Sequence, residues 1–132
     1  MIVHDFSNAK SILNQFILEM RDVSIQKDSM RFRKNIERIG EILSYEMSKT
    51  LQYKTEVVKT PLGEKEMKVP ESDIVVCSIL RAALPLHTGV ISFFDKAENA
   101  YISAYRHHAD GRDNFEVIVN YLASPSVDNK TL

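Results

Sequence analysis

The sequence predicts an α/β chain: two helices first, then a β-hairpin arm, then part of a mainly parallel sheet. Three observations carry this. Apolar residues recur at helical spacing through the first fifty positions. Two short charged runs flank Pro61-Leu62-Gly63, a turn sequence. An unbroken apolar run, IVVCSIL, then leads through a short turn into another helical pattern.

The first helix is expected to begin near Ser7 or Asn8, both good caps, with Ile12, Leu13, Phe16, Ile17 and Met20 as its stripe. Asp22 to Ser29 reads as a loop, with Asp28 and Ser29 as caps for a longer helix to about Leu51. Phe32, Ile36, Ile39, Leu43 and Met47 fall on one face of that helix. Arg33, Lys34, Glu37, Arg38 and Glu41 make the opposite, solvated face. Gly40 either weakens the helix, by about 1 kcal/mol relative to alanine, or permits a close packing contact. The charged runs 53–60 and 64–71 then predict a hairpin with few apolar residues. Such an arm lies over a surface or grips a partner subunit.

Residues 74–80 predict a strand buried on both faces, so Cys77 reads as a small buried hydrophobe. The turn RAALP follows, and Pro85 suits the first position of a helix. Leu86, Val90, Phe93 and Phe94 form that helix's inner stripe. Asn99–Arg106 and Phe115–Ala123 predict two further strands, and Asp128–Leu132 resembles the approach to another. The organisation is one domain over 1–132: 1–52 helical, 53–69 hairpin arm, 70–132 partial α/β sheet.

Composition narrows the function classes. Hydrophobic residues are 44% and charged residues 27%, a usual globular mix. Lys+Arg is 17 against Asp+Glu 18, without the basic excess of a nucleic-acid binder. The apolar stretch Ile74 to Phe94 carries Arg81 near its middle, where membrane insertion would cost roughly 2.5–3.5 kcal/mol. Pro85 and Gly89 also interrupt it, so no membrane span is expected. The single cysteine and the absence of a signal-peptide pattern fit a reducing cytoplasm.

Ligands of open α/β sheets bind beyond the carboxyl ends of the strands. Arg81 directly follows one predicted strand and Arg106 closes the next. A guanidinium offers a planar fork of N–H donors matched to phosphate oxygens, and the helix after RAALP adds its own amides. Taken singly, each arginine reads rather as a surface charge ending a strand, and it is the pair at two strand ends that points to a ligand. His107 and His108, with Asp110 and Asp113, sit in a polar loop and read as water-facing rather than as metal ligands. His87 and His4 have no recognisable partner, and no metal site is expected.

The segments LSYEMSKTL at 43–51, TPLGEKEMKV at 60–69, IVVCSILRAALPLHTGV at 74–90 and AYRHH at 104–108 together resemble uracil phosphoribosyltransferases, from roughly Phe32 to Leu132. SILRAALPL is the most specific of them. The resemblance implies a phosphoribosyltransferase type I-like fold, incomplete here. It also implies transfer of phosphoribose from 5-phosphoribosyl pyrophosphate to uracil, giving UMP and pyrophosphate in pyrimidine salvage. Arg81 and Arg106 would bind the phosphoribosyl pyrophosphate, with the Ala82 and Ala83 backbone beside them, and no other catalytic residue is assigned. Mg2+ would arrive on the substrate's oxygens. A homodimer or higher homo-oligomer is implied as well.

Ala83 stands where the family usually has glycine. The family's ribose-phosphate loop and uracil segment would follow Leu132, so the chain by itself is expected to be inactive. The competing readings are a nucleotide-binding regulator on the same fold and a non-catalytic association module.

Overall fold

The structure is a computed structural model and describes residues 3–6, 8, 10–71, 73–107 and 115–132. Its elements are α1 (Leu13–Arg21), α2 (Ser29–Ser48), β1 (Tyr53–Thr60), β2 (Gly63–Pro70), β3 (Val75–Leu80), α3 (Leu84–Ile91), β4 (Glu98–His107) and β5 (Glu116–Ala123). Three helices and two sheets confirm the mixed α/β class.

α1 starts later than expected. The Ser11 hydroxyl accepts from the Leu13 amide at 3.2 Å, so the first helical turn is anchored there. Asn8 lies in a turn well before it, and Ser7 is outside the described residues. Ile12 is therefore exposed, whereas Leu13 is buried and Phe16, Ile17 and Met20 are half-buried. α2 begins where the sequence places it. Asp28 caps it, its carboxylate accepting from the Met30 and Arg31 amides at 3.1 and 3.0 Å.

A polar network joins α1 to α2. The fully buried Asn35 donates its amide to Glu19 Oε2 at 2.8 Å and accepts from Arg38 Nη1 at 3.1 Å. Asn35 is the first cause holding the Glu19 carboxyl below its ordinary 4.5, and Gln15 and Arg31 add to it. A depressed carboxylate stabilises the fold above its unfolded pKa, and that contribution disappears as pH falls through the folded value. The thermal-midpoint advantage of the parent over Glu19→Gln should therefore be full at pH 6 and shrink progressively as pH falls from about 4.5 downward. An advantage that does not shrink at all on acidification would show that the carboxylate charge plays no part.

β1 and β2 form an antiparallel two-stranded sheet with Tyr53 opposite Pro70 and Thr60 opposite Gly63. Nearly every residue of this arm is exposed. Gly63 occupies φ +132° at the turn, a conformation glycine tolerates and L side chains rarely adopt.

The second sheet has the order β3-β4-β5, parallel between β3 and β4 and antiparallel between β4 and β5. Thr131 adds a parallel bridge to Ile74, so the last residues do start a pairing on the other side of β3. One expectation for β3 fails. Ser78 and Val75 are buried, but Cys77 and Ile79 are exposed, so the strand is covered on one face only along its second half. The apolar run reports what the strand is suited to, while the face is left open at Cys77 and Ile79.

α3 begins at Leu84 with Pro85 in its first turn, as the sequence suggests. Its buried positions, however, are His87 and Gly89. Leu86 and Val90 are half-buried, the helix ends before Phe93, and Phe93 is exposed. α2 and α3 meet backbone to backbone: a Cβ at Gly40 would lie 2.6 Å from Leu86 O, and one at Gly89 2.0 Å from Glu37 O. The close-contact reading of Gly40 is the right one. No helix among the described residues is long and apolar enough to cross a membrane.

Candidate anion site at the strand ends

β3 delivers the chain to the candidate site. Leu80 pairs with Ser103 of β4, and the Leu80–Arg81 peptide is cis. Arg81, Ala82 and Ala83 make the turn into α3, and Arg81 is exposed without an ion-pair partner among the described residues. Arg106 lies three residues beyond Ser103 on β4, about 10 Å further along at roughly 3.3 Å per residue. The structure thus puts both arginines at the carboxyl ends of neighbouring parallel strands. The Arg106 guanidinium rests 4.7 Å from the centre of the Phe115 ring. A cation over the ring face at that distance is held by the ring's quadrupole.

The start of α3 offers fewer amides than the sequence suggests. The Ala83 amide donates to Ile79 O at 3.2 Å, the Leu84 amide to Arg81 O at 3.2 Å, and Pro85 has none. Of the two alanines, Ala82 is the one whose amide has no backbone acceptor among the described residues. The donors this turn leaves open are therefore mainly the two guanidinium groups.

Directly behind the turn is a group the sequence did not reveal. His87 is buried, its Nδ1 2.8 Å from Ser78 Oγ and its Nε2 3.2 Å from Tyr101 Oη. It links α3 to β3 and β4 at once. A neutral imidazole satisfies both contacts if one hydroxyl donates and the other accepts. With both nitrogens engaged and the ring buried, His87 holds the turn's framework rather than touching a ligand. The available signal was Ser78, a lone polar residue in an otherwise apolar strand.

His4 and His107 are exposed, and His108, Asp110 and Asp113 lie outside the described residues. No cluster of three His, Cys, Asp or Glu suited to a metal ion occurs among the described residues. A hollow of about 520 Å³ lies at the root of the arm, between Lys54, Val69 and the Phe93–Lys96 segment, and includes neither arginine.

The chain matches known proteins along most of its length. The family model described as uracil phosphoribosyltransferase matches residues 8–126. A uracil phosphoribosyltransferase of Porphyromonas gingivalis is 51% identical over 122 residues, covering 92% of this chain and 56% of that protein. One of Methanococcus maripaludis is 34% identical over 127 residues, covering 95% and 52%. The chain spans about half the length of the curated relatives it matches. Among solved structures, the AQ2163 protein from Aquifex aeolicus superposes with a TM-score of 0.79 at 22% identity, covering 98% of this chain and 59% of that one. That likeness is one of fold.

Proposed function

Because the chain belongs to the uracil phosphoribosyltransferase family, we propose that it is the pyrophosphate-binding part of an enzyme making UMP and pyrophosphate from uracil and 5-phosphoribosyl pyrophosphate. The observation that carries this is that Arg81 and Arg106 lie at the carboxyl ends of β3 and β4, within the segments SILRAALPL and AYRHH that resemble the family's. As pyrophosphate departs, negative charge grows on its oxygens while the sugar carbon becomes cationic. Fixed guanidinium donors aimed at those oxygens stabilise that charge, and the Ala82 amide adds a neutral donor.

The site supplies N–H donors and no carboxylate cluster among the described residues, a set suited to an anion. Magnesium would then be held by the substrate's oxygens, where it neutralises the departing diphosphate. The cytoplasm, with its nucleotide pool and reducing conditions, suits both this substrate and the exposed thiol of Cys77.

The test is direct. The 132-residue chain alone should form no UMP above a no-enzyme control. The same chain joined to the residues of the P. gingivalis relative beyond its matched region should form it steadily. Positioning both substrates supplies much of such a barrier, so half of the site achieves little. UMP from the short chain would contradict the division of labour, and an inactive but folded chimera would contradict the reaction.

The proposal includes self-association through the arm. A two-stranded hairpin is marginal alone in water, and this one leaves Val57, Val58 and Met67 exposed. Sedimentation should show a dimer or larger species that is lost when residues 53–69 are deleted. Monomers in both cases would refute the role of the arm.

A further inference from the structure

α3 is fastened to the sheet by a polar side chain. Its buried residues are His87 and Gly89, and glycine has no side chain to pack. The two partners of His87 are themselves a couple: Ser78 of β3 pairs directly with Tyr101 of β4 in the parallel register. One imidazole therefore straddles both strands, with Nδ1 2.8 Å from Ser78 Oγ and Nε2 3.2 Å from Tyr101 Oη. Its ring also lies 5.3 Å from the Tyr101 ring, centre to centre. Arg81 follows Ser78 on the first strand, and Arg106 follows Tyr101 on the second. The turn that carries Arg81 is held lightly on its own. No side chain caps α3 at Ala83, and the Ala83 and Leu84 amides reach Ile79 O and Arg81 O at 3.2 Å each.

We propose that His87 is a positioning residue for anion binding: by bridging Ser78 and Tyr101 it sets where the Arg81 turn stands relative to Arg106. The inference rests on the reading of the two arginines as the pyrophosphate site and deepens it. The Ser78–His87 bond closes the segment 78–87 into a loop with Arg81 inside it. The Tyr101 bond ties that loop to the strand that carries Arg106. A fully satisfied buried network fixes one arrangement, whereas apolar packing alone tolerates several. Two guanidinium groups that share one diphosphate need a fixed spacing, and a misplacement of about 1 Å is felt as a large loss where geometry governs. His87 acts through the turn and touches no ligand itself, because it is buried with both ring nitrogens engaged.

The discriminating variant removes the network and leaves no orphaned polar group. Ser78→Ala, His87→Leu and Tyr101→Phe together replace every partner by an apolar group of similar shape, a change close to neutral for stability. Inorganic pyrophosphate is titrated into the 132-residue chain by calorimetry, and thermal midpoints are recorded beside it. The triple variant should melt within a few degrees of the parent and bind pyrophosphate roughly tenfold more weakly. Tyr101→Phe alone, which keeps the ring and drops one bond, should lie between the two. Leu13→Ala, at a buried position of α1 outside this network, should lower the midpoint and leave the affinity unchanged. A triple variant that binds as tightly as the parent overturns the proposal, and so does a loss that Leu13→Ala reproduces. Should the triple variant not fold, Tyr101→Phe decides, since an unchanged affinity there also overturns it. Arg81→Ala separates this inference from the reading beneath it. A parent chain that takes up no pyrophosphate, or whose affinity ignores Arg81→Ala, loses the reading and the inference together. Binding that depends on Arg81 and ignores the network spares the reading and sinks the inference.

Discussion

Gly89→Ala should lower the thermal midpoint by roughly 8 °C, because the alanine methyl has nowhere to go. Its Cβ would sit 2.0 Å from Glu37 O, 2.9 Å from Glu37 C and 3.0 Å from Glu41 N. All three are backbone atoms of α2, so no side-chain rotation relieves the overlap and one helix must move against the other. Overpacking a tight contact costs about 1–3 kcal/mol, and a clash with a rigid helix backbone belongs at or above the top of that range. Alanine returns about 1 kcal/mol in helix propensity. The net loss of about 2 kcal/mol corresponds to that shift for a chain of this size. Gly40→Ala should act in the same direction and less strongly, since its Cβ meets Leu86 O at 2.6 Å. A Gly89→Ala variant as stable as the parent would mean that α2 and α3 do not cross where the structure puts them.

That crossing shows where the sequence is legible and where it is not. Gly40 could be flagged because a glycine inside a helical pattern invites either a cost or a contact. The contact itself depended on Gly89, forty-nine positions away, and was not visible locally. The Asp28 cap and the Pro61–Gly63 turn were readable because each involves neighbours a few residues apart. The start of α1 was misplaced because the Ser11 hydroxyl, and not a cap near Asn8, takes the first helical amide.

Burial is harder to read than element type. IVVCSIL announced a strand correctly, but whether both its faces are covered depends on elements that this segment does not encode. Cys77 was therefore misjudged as buried. His87 was dismissed because its partners are nine residues earlier and fourteen later, brought together only by the β3–α3–β4 fold. Arg81 and Arg106 were accessible in part. The strand ends could be seen in the pattern, whereas their assignment to one substrate came from the family resemblance.

Those two arginines give the sharpest functional test, made in the chimera once its fold has been confirmed. Arg81→Lys keeps the charge and removes the planar fork, so a contact to two phosphate oxygens becomes a contact to one. A charge-assisted hydrogen bond lost at a site closed around its substrate is worth roughly 1.5–3 kcal/mol, which is about ten- to a hundredfold in rate. The specificity constant for phosphoribosyl pyrophosphate should fall by that factor. Arg106→Ala removes charge and fork together and also empties the space over the Phe115 ring, so its loss should be at least as large. If the arginines act on the departing pyrophosphate, kcat should fall along with kcat/KM, because the interaction strengthens as charge develops. A rise in KM alone would mean that they bind the ground state only. A defect confined to uracil, with phosphoribosyl pyrophosphate kinetics untouched, would place them in the other pocket. No change in either constant would leave them as surface charges that happen to end two strands.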